Sequence, residues 1–247
     1  MDDILVLCYH ALSPNWEASL SVTPDAFERQ LTHLLGRGWQ ATTFTDAILN
    51  PGAGRRLAVT FDDAFASVKV HAAPILKRLG APATVFAPTA YLSGGKLLSW
   101  PGVDRWAATP DAGELAAMDW DDIGELAEIG WEIGSHTRTH PHLTRLDDDQ
   151  LELELAGSRE ECKRRIGADC TAIAYPYGDV DDRVAAATQR AGYMSGAALS
   201  RGLQYVGPYH HPRVGIYHRD VWWRFRVKAA RQVRDLRGSK HWSPGPS

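Results

Sequence analysis

Thr60-Phe61-Asp62-Asp63-Ala64 closes an apolar run, Leu57-Ala58-Val59, and so stands where a buried strand ends. A second polar stretch, His136-Thr137-Arg138-Thr139-His140, follows Trp131-Glu132-Ile133-Gly134-Ser135, which alternates as a short strand does. Two carboxylates at one strand end and two imidazoles at another can meet on the same rim. Two imidazoles and one carboxylate make a facial set of ligands for zinc or a similar divalent cation, with positions open for water and substrate. The other carboxylate is then free to act as a base. Adjacent strand residues point to opposite faces, so Asp62 and Asp63 can share one site only where the strand breaks into a loop. Taken singly, each piece has a plainer reading. An Asp-Asp pair is usually a solvated turn, and histidines four apart also fit one turn of a surface helix.

The two stretches resemble the first two motifs of the polysaccharide deacetylases, carbohydrate esterase family four. The family's first motif reads Thr-Phe-Asp-Asp-Gly, and Ala64 replaces its glycine. The second, His-Ser/Thr-x-x-His, is matched by His136 to His140. The third, Arg-x-Pro-Tyr, aligns with Ala174-Tyr175-Pro176-Tyr177, where the arginine is missing. The resemblance runs from about Leu5 to about Phe225. The usual family arrangement keeps a Leu-x-His motif near the C-terminus, whose histidine protonates the leaving amine. Here Cys8-Tyr9-His10 lies on the first strand pattern, with Cys8 where leucine would stand. That resembles the permuted branch containing the biofilm poly-N-acetylglucosamine deacetylases. The plainer alternative is that His10 only caps a strand end.

The resemblance implies a distorted (β/α)7 barrel and a metal-dependent hydrolase removing N-acetyl groups from an N-acetylated sugar or polysaccharide. It implies Asp63, His136 and His140 as metal ligands, with zinc first and cobalt or nickel as alternatives. Asp62 becomes the general base, His10 the acid, and the Tyr177 backbone N–H an oxyanion donor. The partner implied is a carbohydrate containing N-acetylhexosamine. Two alternatives stay open: the same chemistry on a small non-sugar amide or imide, and a carbohydrate-binding protein that has lost catalysis.

In the family pattern the third-motif arginine orients the catalytic aspartate. Ala174 cannot do so, yet a base that swings freely loses the benefit of proximity. A planar guanidinium at a strand end on the catalytic rim would serve. Arg213, in His211-Pro212-Arg213-Val214, is the expected substitute, and Arg138 is the runner-up.

The remaining pattern alternates strands with helices, as parallel βαβ units do. Strands are expected at Ile4–Cys8, Trp39–Phe44, Leu57–Phe61, Ala83–Ala87, Ala172–Ala174, Tyr193–Ala197, Tyr205-Val206 and Pro212–Ile216. Helices are expected after the Thr23-Pro24 cap, over Thr45–Leu49, Phe65–Leu79, Ile123–Ile129, Leu146–Arg165 and Asp181–Ala191, and as a basic amphipathic helix over about 219–237. The irregular stretch 91–119 carries Trp100 and Trp106, with Trp120 beside it, and is expected to bring at least one of these to a substrate groove.

At 247 residues the chain is read as one catalytic domain over 1–247, although length alone would permit two. A net charge of −3 argues against a general nucleic-acid binder. The basic C-terminal segment could meet anionic lipid, but a closing helix with a solvated basic face is the simpler reading. Cys8, Cys162 and Cys170 form neither a Cys-x-x-Cys pair nor an even framework and read as reduced thiols. No signal-peptide pattern and no bilayer-length apolar run is present, so a cytoplasmic location is the expectation.

Overall fold

The computed structural model describes residues 3–50, 52–199, 207–231 and 233–234. The strands are β1 (Asp3–Tyr9), β2 (Ala11–Leu12), β3 (Ser21–Val22), β4 (Trp39–Thr42), β5 (Arg55–Phe61), β6 (Thr84–Ala87), β7 (Glu132–Ser135), β8 (Ala172–Ala174), β9 (Ser195–Leu199) and β10 (His211–Gly215). The helices are α1 (Pro24–Leu35), α2 (Phe44–Leu49), α3 (Ala73–Leu79), α4 (Trp120–Glu128), α5 (Asp148–Ile166), α6 (Asp182–Arg190) and α7 (Trp222–Ala229). β1, β10, β9, β8, β7, β6 and β5 pair in that order, all parallel, and β5 returns to β1. The result is a closed seven-stranded barrel wrapped by helices, the (β/α)7 form expected. β4 lies outside the ring, against the first half of β5 that β6 does not reach.

Side-chain alternation sorts the strands into two cores. Even-numbered Val6, Ala58, Phe86, Ala172 and Ala174 turn into the barrel, where Phe44 from α2 joins them. Odd-numbered Leu5, Leu7, Leu57, Val59 and Phe61 turn outward and pack with the helices. The inner set is mostly alanine because a seven-stranded ring has little room inside. Phe86 is the large exception, and Gly134 makes space for it. A methyl at Gly134 would sit 2.5 Å from the Phe86 ring and 3.0 Å from the Ala172 carbonyl oxygen.

The helix ends follow local chemistry. The Thr23 hydroxyl accepts the Ala26 N–H ahead of α1, and Asp147 and Gln150 form a capping box on α5. α4 starts three residues before its expected position, at Trp120, because Asp119 and Asp122 form a second capping box. The helix expected from Phe65 starts late, with a wide π-turn at Val68–Ala72 leading into α3. Phe65 is instead engaged in an antiparallel bridge with Ala117, and Ser67 accepts the Leu12 N–H at 3.2 Å. β4 stops at Thr42, and Phe44 opens α2 by donating its N–H to Thr84 at 2.8 Å.

β9 runs two residues beyond its expected end, and β10 is shifted back by one. α7 is shorter than the expected helix over 219–237, because Ala230 turns extended at ψ 132°. Tyr205-Val206 and residues 232 and 235–237 of that expected helix lie outside the described residues. Among the described residues no helix is long and apolar enough to cross a membrane.

Gly134→Ala should overpack the lumen and cost about 1–3 kcal/mol. At roughly 2–4 °C per kcal/mol for a chain of this size, thermal denaturation should fall by several degrees. An unchanged melting temperature would mean that Phe86 has room to move.

Candidate active site

The chemistry-bearing side chains gather at the C-terminal ends of the strands, the end where barrel enzymes react. β5 runs straight into Asp62 and Asp63, β7 into the His136–His140 loop, and β1 into His10. Asp63 has φ 69° and Ala64 φ 53°, so the strand breaks there and the two carboxylates can serve one site. Among the described residues the other non-glycine residues with positive φ are Thr137, His140 and Tyr177. All five therefore lie in the three motif loops, where the fold stores backbone strain. Ala64 shows why glycine suits its position: a left-handed residue with a Cβ costs roughly 1–2 kcal/mol.

Asp63 Oδ1 lies 3.3 Å from His136 Nε2 and 3.3 Å from His140 Nε2, and all three residues are buried. His136 Nδ1 is 2.8 Å from the Ala174 carbonyl oxygen, a contact that makes Nδ1 the donor and leaves the Nε2 lone pair facing Asp63. The Asp63 oxygen between the imidazoles has no hydrogen-bond donor of good geometry. A carboxylate oxygen and two imidazole nitrogens converging in this way fit a divalent cation, since a cation satisfies all three acceptors at once.

Asp62 is clamped by Arg213. The guanidinium donates to Oδ1 and Oδ2, each at 2.7 Å, and its first nitrogen also donates to the Thr60 hydroxyl at 3.0 Å. Arg213 is only 1% exposed and lies over the Phe86 ring at 5.4 Å. The Cys8 thiol adds a third donor, 3.4 Å from Asp62 Oδ2. Burial alone would raise the Asp62 pKa, but Arg213, with help from His136, brings it down to about 2. Burial pushes the Cys8 thiol up, so it stays protonated and able to donate. Arg138, the runner-up for this clamp, points elsewhere, with its side chain against Gly157 of α5.

His10 reaches the same rim: one ring nitrogen lies within 4.8 Å of an Asp62 oxygen and of the Cys8 sulfur. Burial lowers its pKa, against the pull of Asp63 and Asp62. His10, Asp62, Asp63, His136, His140 and Tyr177 line one cleft of about 450 Å³. Of the three tryptophans, Trp100 enters this cleft and stacks on the His140 ring at 4.0 Å. Trp106 instead packs edge-on against Trp16, and Trp120 lies beneath Arg165. The Tyr177 ring stacks on His142 at 4.0 Å and meets His140 edge-on, which fixes the third-motif turn beside the second.

Sequence reading missed Glu154. This buried carboxylate on α5 accepts the Arg138 N–H at 2.7 Å, the Thr139 N–H at 2.9 Å and the Thr139 hydroxyl at 2.7 Å. It holds the loop between the two histidines from beneath. The available signal was an acidic residue three positions after Leu151 and next to Leu155, on the buried side of an otherwise charged helix.

The chain belongs to the polysaccharide deacetylase family, whose model matches residues 50–196. It is 27% identical over 202 residues to YxkH of Bacillus subtilis, a protein named for the same family. That match covers 80% of this chain and 64% of YxkH, so the chain spans less than two thirds of that relative's length. Among solved structures it superposes on the Streptococcus pyogenes deacetylase PplD, solved with acetate, with a TM-score of 0.76 at 24% identity over 92% of this chain and 98% of that one. It superposes on IcaB from Ammonifex degensii with a TM-score of 0.70 at 22% identity over 97% and 98%. These two likenesses concern the fold.

Glu154→Gln should leave the fold intact but loosen the histidine loop, because a neutral amide accepts the Arg138 and Thr139 N–H groups more weakly and its NH₂ end cannot accept the Thr139 hydroxyl. Metal affinity should drop about 10–100-fold, as losses of such supporting groups do. Competition with a chromophoric chelator would measure it, and wild-type affinity would show that the loop holds itself.

Proposed function

We propose that this protein is a metal-dependent hydrolase that removes acetyl groups from the nitrogen of an N-acetylated sugar, releasing acetate and a free amine. The observation that carries the reading is the convergence of Asp63 Oδ1 with two imidazole Nε2 atoms beside an arginine-clamped second carboxylate, all on one cleft. Asp63, His136 and His140 would hold the cation, with zinc suiting a mixed nitrogen and oxygen set. When bound, the metal supplies Lewis acidity toward the acetyl carbonyl and toward a water molecule.

Asp62 is the proton acceptor in this reading. A carboxylate oxygen has two in-plane lone pairs. At Oδ2 Arg213 and Cys8 engage both, whereas Oδ1 receives only Arg213 and keeps one open. Its low pKa keeps Asp62 ionised at working pH but makes it a weak base, so it suits a water already acidified. His10 is the group placed to protonate the departing amine, and the Tyr177 N–H, at the left-handed turn of the third motif, is the proposed oxyanion donor. Trp100 offers a large flat side chain at the cleft, as sugar binding requires. The permuted poly-N-acetylglucosamine branch is the narrower assignment, supported by a histidine at the end of β1 rather than near the C-terminus.

The test is acetate release from N-acetylglucosamine oligomers by metal-loaded protein. Asp62→Asn should keep the metal and lose about 10²–10⁴-fold in turnover. His136→Ala should lose both metal and turnover. Arg213→Lys should impair turnover with metal retained, and Arg213→Ala should impair it more. Wild-type turnover in Asp62→Asn, or acetate release from small amides but never from sugar oligomers, would overturn the reading.

A further inference from the structure

We infer that the opposite end of the barrel carries a second binding site, one that takes a phosphate group. A cavity of about 440 Å³ opens there. Its wall includes Asp3, Trp39 and Arg55, the first residues of β1, β4 and β5, which places it a full strand length from the catalytic rim. Arg37 from the loop after α1, Arg55 from β5 and Arg226 from α7 converge on it from three separate elements.

These arginines have no carboxylate of their own. Among the described residues no acid pairs with Arg37, Arg55 or Arg226. The single acid in the wall, Asp3, is already held through both oxygens by Arg234, at 2.7 and 2.8 Å. On a chain whose net charge is −3, three unpaired guanidinium groups around one recess form a strong local exception.

The site is also pre-positioned. The Arg55 guanidinium lies over the Trp39 ring at 5.9 Å and donates to the Arg37 carbonyl oxygen at 3.2 Å. A fixed fork loses less freedom on binding than a free one. Leu34 and Phe225, both buried, line the recess beneath the three arginines, which are themselves exposed. A carboxylate would occupy one fork, whereas a phosphate presents three oxygens to groups arriving from three directions. His33 lines the same recess, and burial, then Arg37 and Arg226, lower its pKa.

The phosphate could belong to a small phosphate ester or free ion, or to a lipid headgroup. Trp223, three residues before Arg226, and Val227, four residues after Trp223, are both exposed and would enter a lipid interface in the second case. Two arms separate the sources. One is calorimetric titration with inorganic phosphate at constant ionic strength. The other is co-sedimentation with phosphatidylcholine vesicles containing phosphatidic acid. Each is run on the full chain, on the Arg37→Ala/Arg226→Ala variant and on Arg226→Lys.

Saturable binding in at least one arm is expected, with the binding arm naming the source. The double variant should bind at least about tenfold more weakly, having lost two charge-assisted donors. Should it also melt early, Arg226→Lys decides: keeping the charge but losing the fork, it should bind with intermediate affinity. Binding in neither arm, or binding by the variants equal to wild type, overturns the site.

Discussion

The buried pair of Arg213 and Asp62 ties the barrel's closure to its chemistry. Arg213 stands on β10 and Asp62 follows β5, while β1 runs between those strands. The guanidinium therefore spans the seam where the ring closes, and it reaches the Leu7 carbonyl of β1 through the Thr60 hydroxyl, which donates to it at 2.9 Å. Two charges taken out of water are costly unless paired with good geometry. Here the pairing is bidentate and short. Removing one partner would strand the other in a nearly solvent-free site, so the pair constrains the strands that carry it. The lumen around it must then be small-sided, which is why alanines and Gly134 line the ring while Phe86 offers its face to the cation.

The same pair accounts for the missing third-motif arginine. A planar fork can orient a carboxylate, and nothing in the chemistry requires that fork to come from a particular strand. Ala174 gives up the side chain and keeps a backbone role, accepting from His136 Nδ1. Arg213 brings a guanidinium to Asp62 from two strands further round the ring. Cys8, standing where leucine is usual, adds a thiol donor that leucine could not provide.

Sequence reading reached what depends on strand ends and on residue type. The Asp62–Asp63 break and the histidine loop follow from apolar runs that stop at polar residues, whereas the seven-stranded ring and the expectation of an arginine on Asp62, met here by Arg213, come from the family resemblance. It did not reach what depends on contacts between distant segments. Glu154 serves the histidine loop from a helix that begins eight residues after His140, and its spacing from Leu151 marks a buried face without showing which segment it serves. The late start of the helix after β5 has the same origin, since Phe65 pairs with Ala117 some fifty residues on. The short α7 reflects a backbone turn at Ala230 that periodicity alone does not show.

Strain and support are matched at the catalytic rim. Thr137 and His140 hold left-handed backbones, an arrangement that costs energy unless surroundings over-determine it. The Ser135 hydroxyl accepts the Thr137 N–H at 3.0 Å, the Thr137 hydroxyl accepts the His140 N–H at 3.1 Å, and Glu154 takes the two N–H groups between them. Every backbone donor from Thr137 to His140 is thereby occupied inside the protein. The loop has no amide left to turn toward the cleft, so in the proposed reaction an oxyanion donor would have to come from elsewhere on the rim. In that proposal the third-motif turn at Tyr177, left-handed as well and edge-on to His140, is the neighbouring candidate.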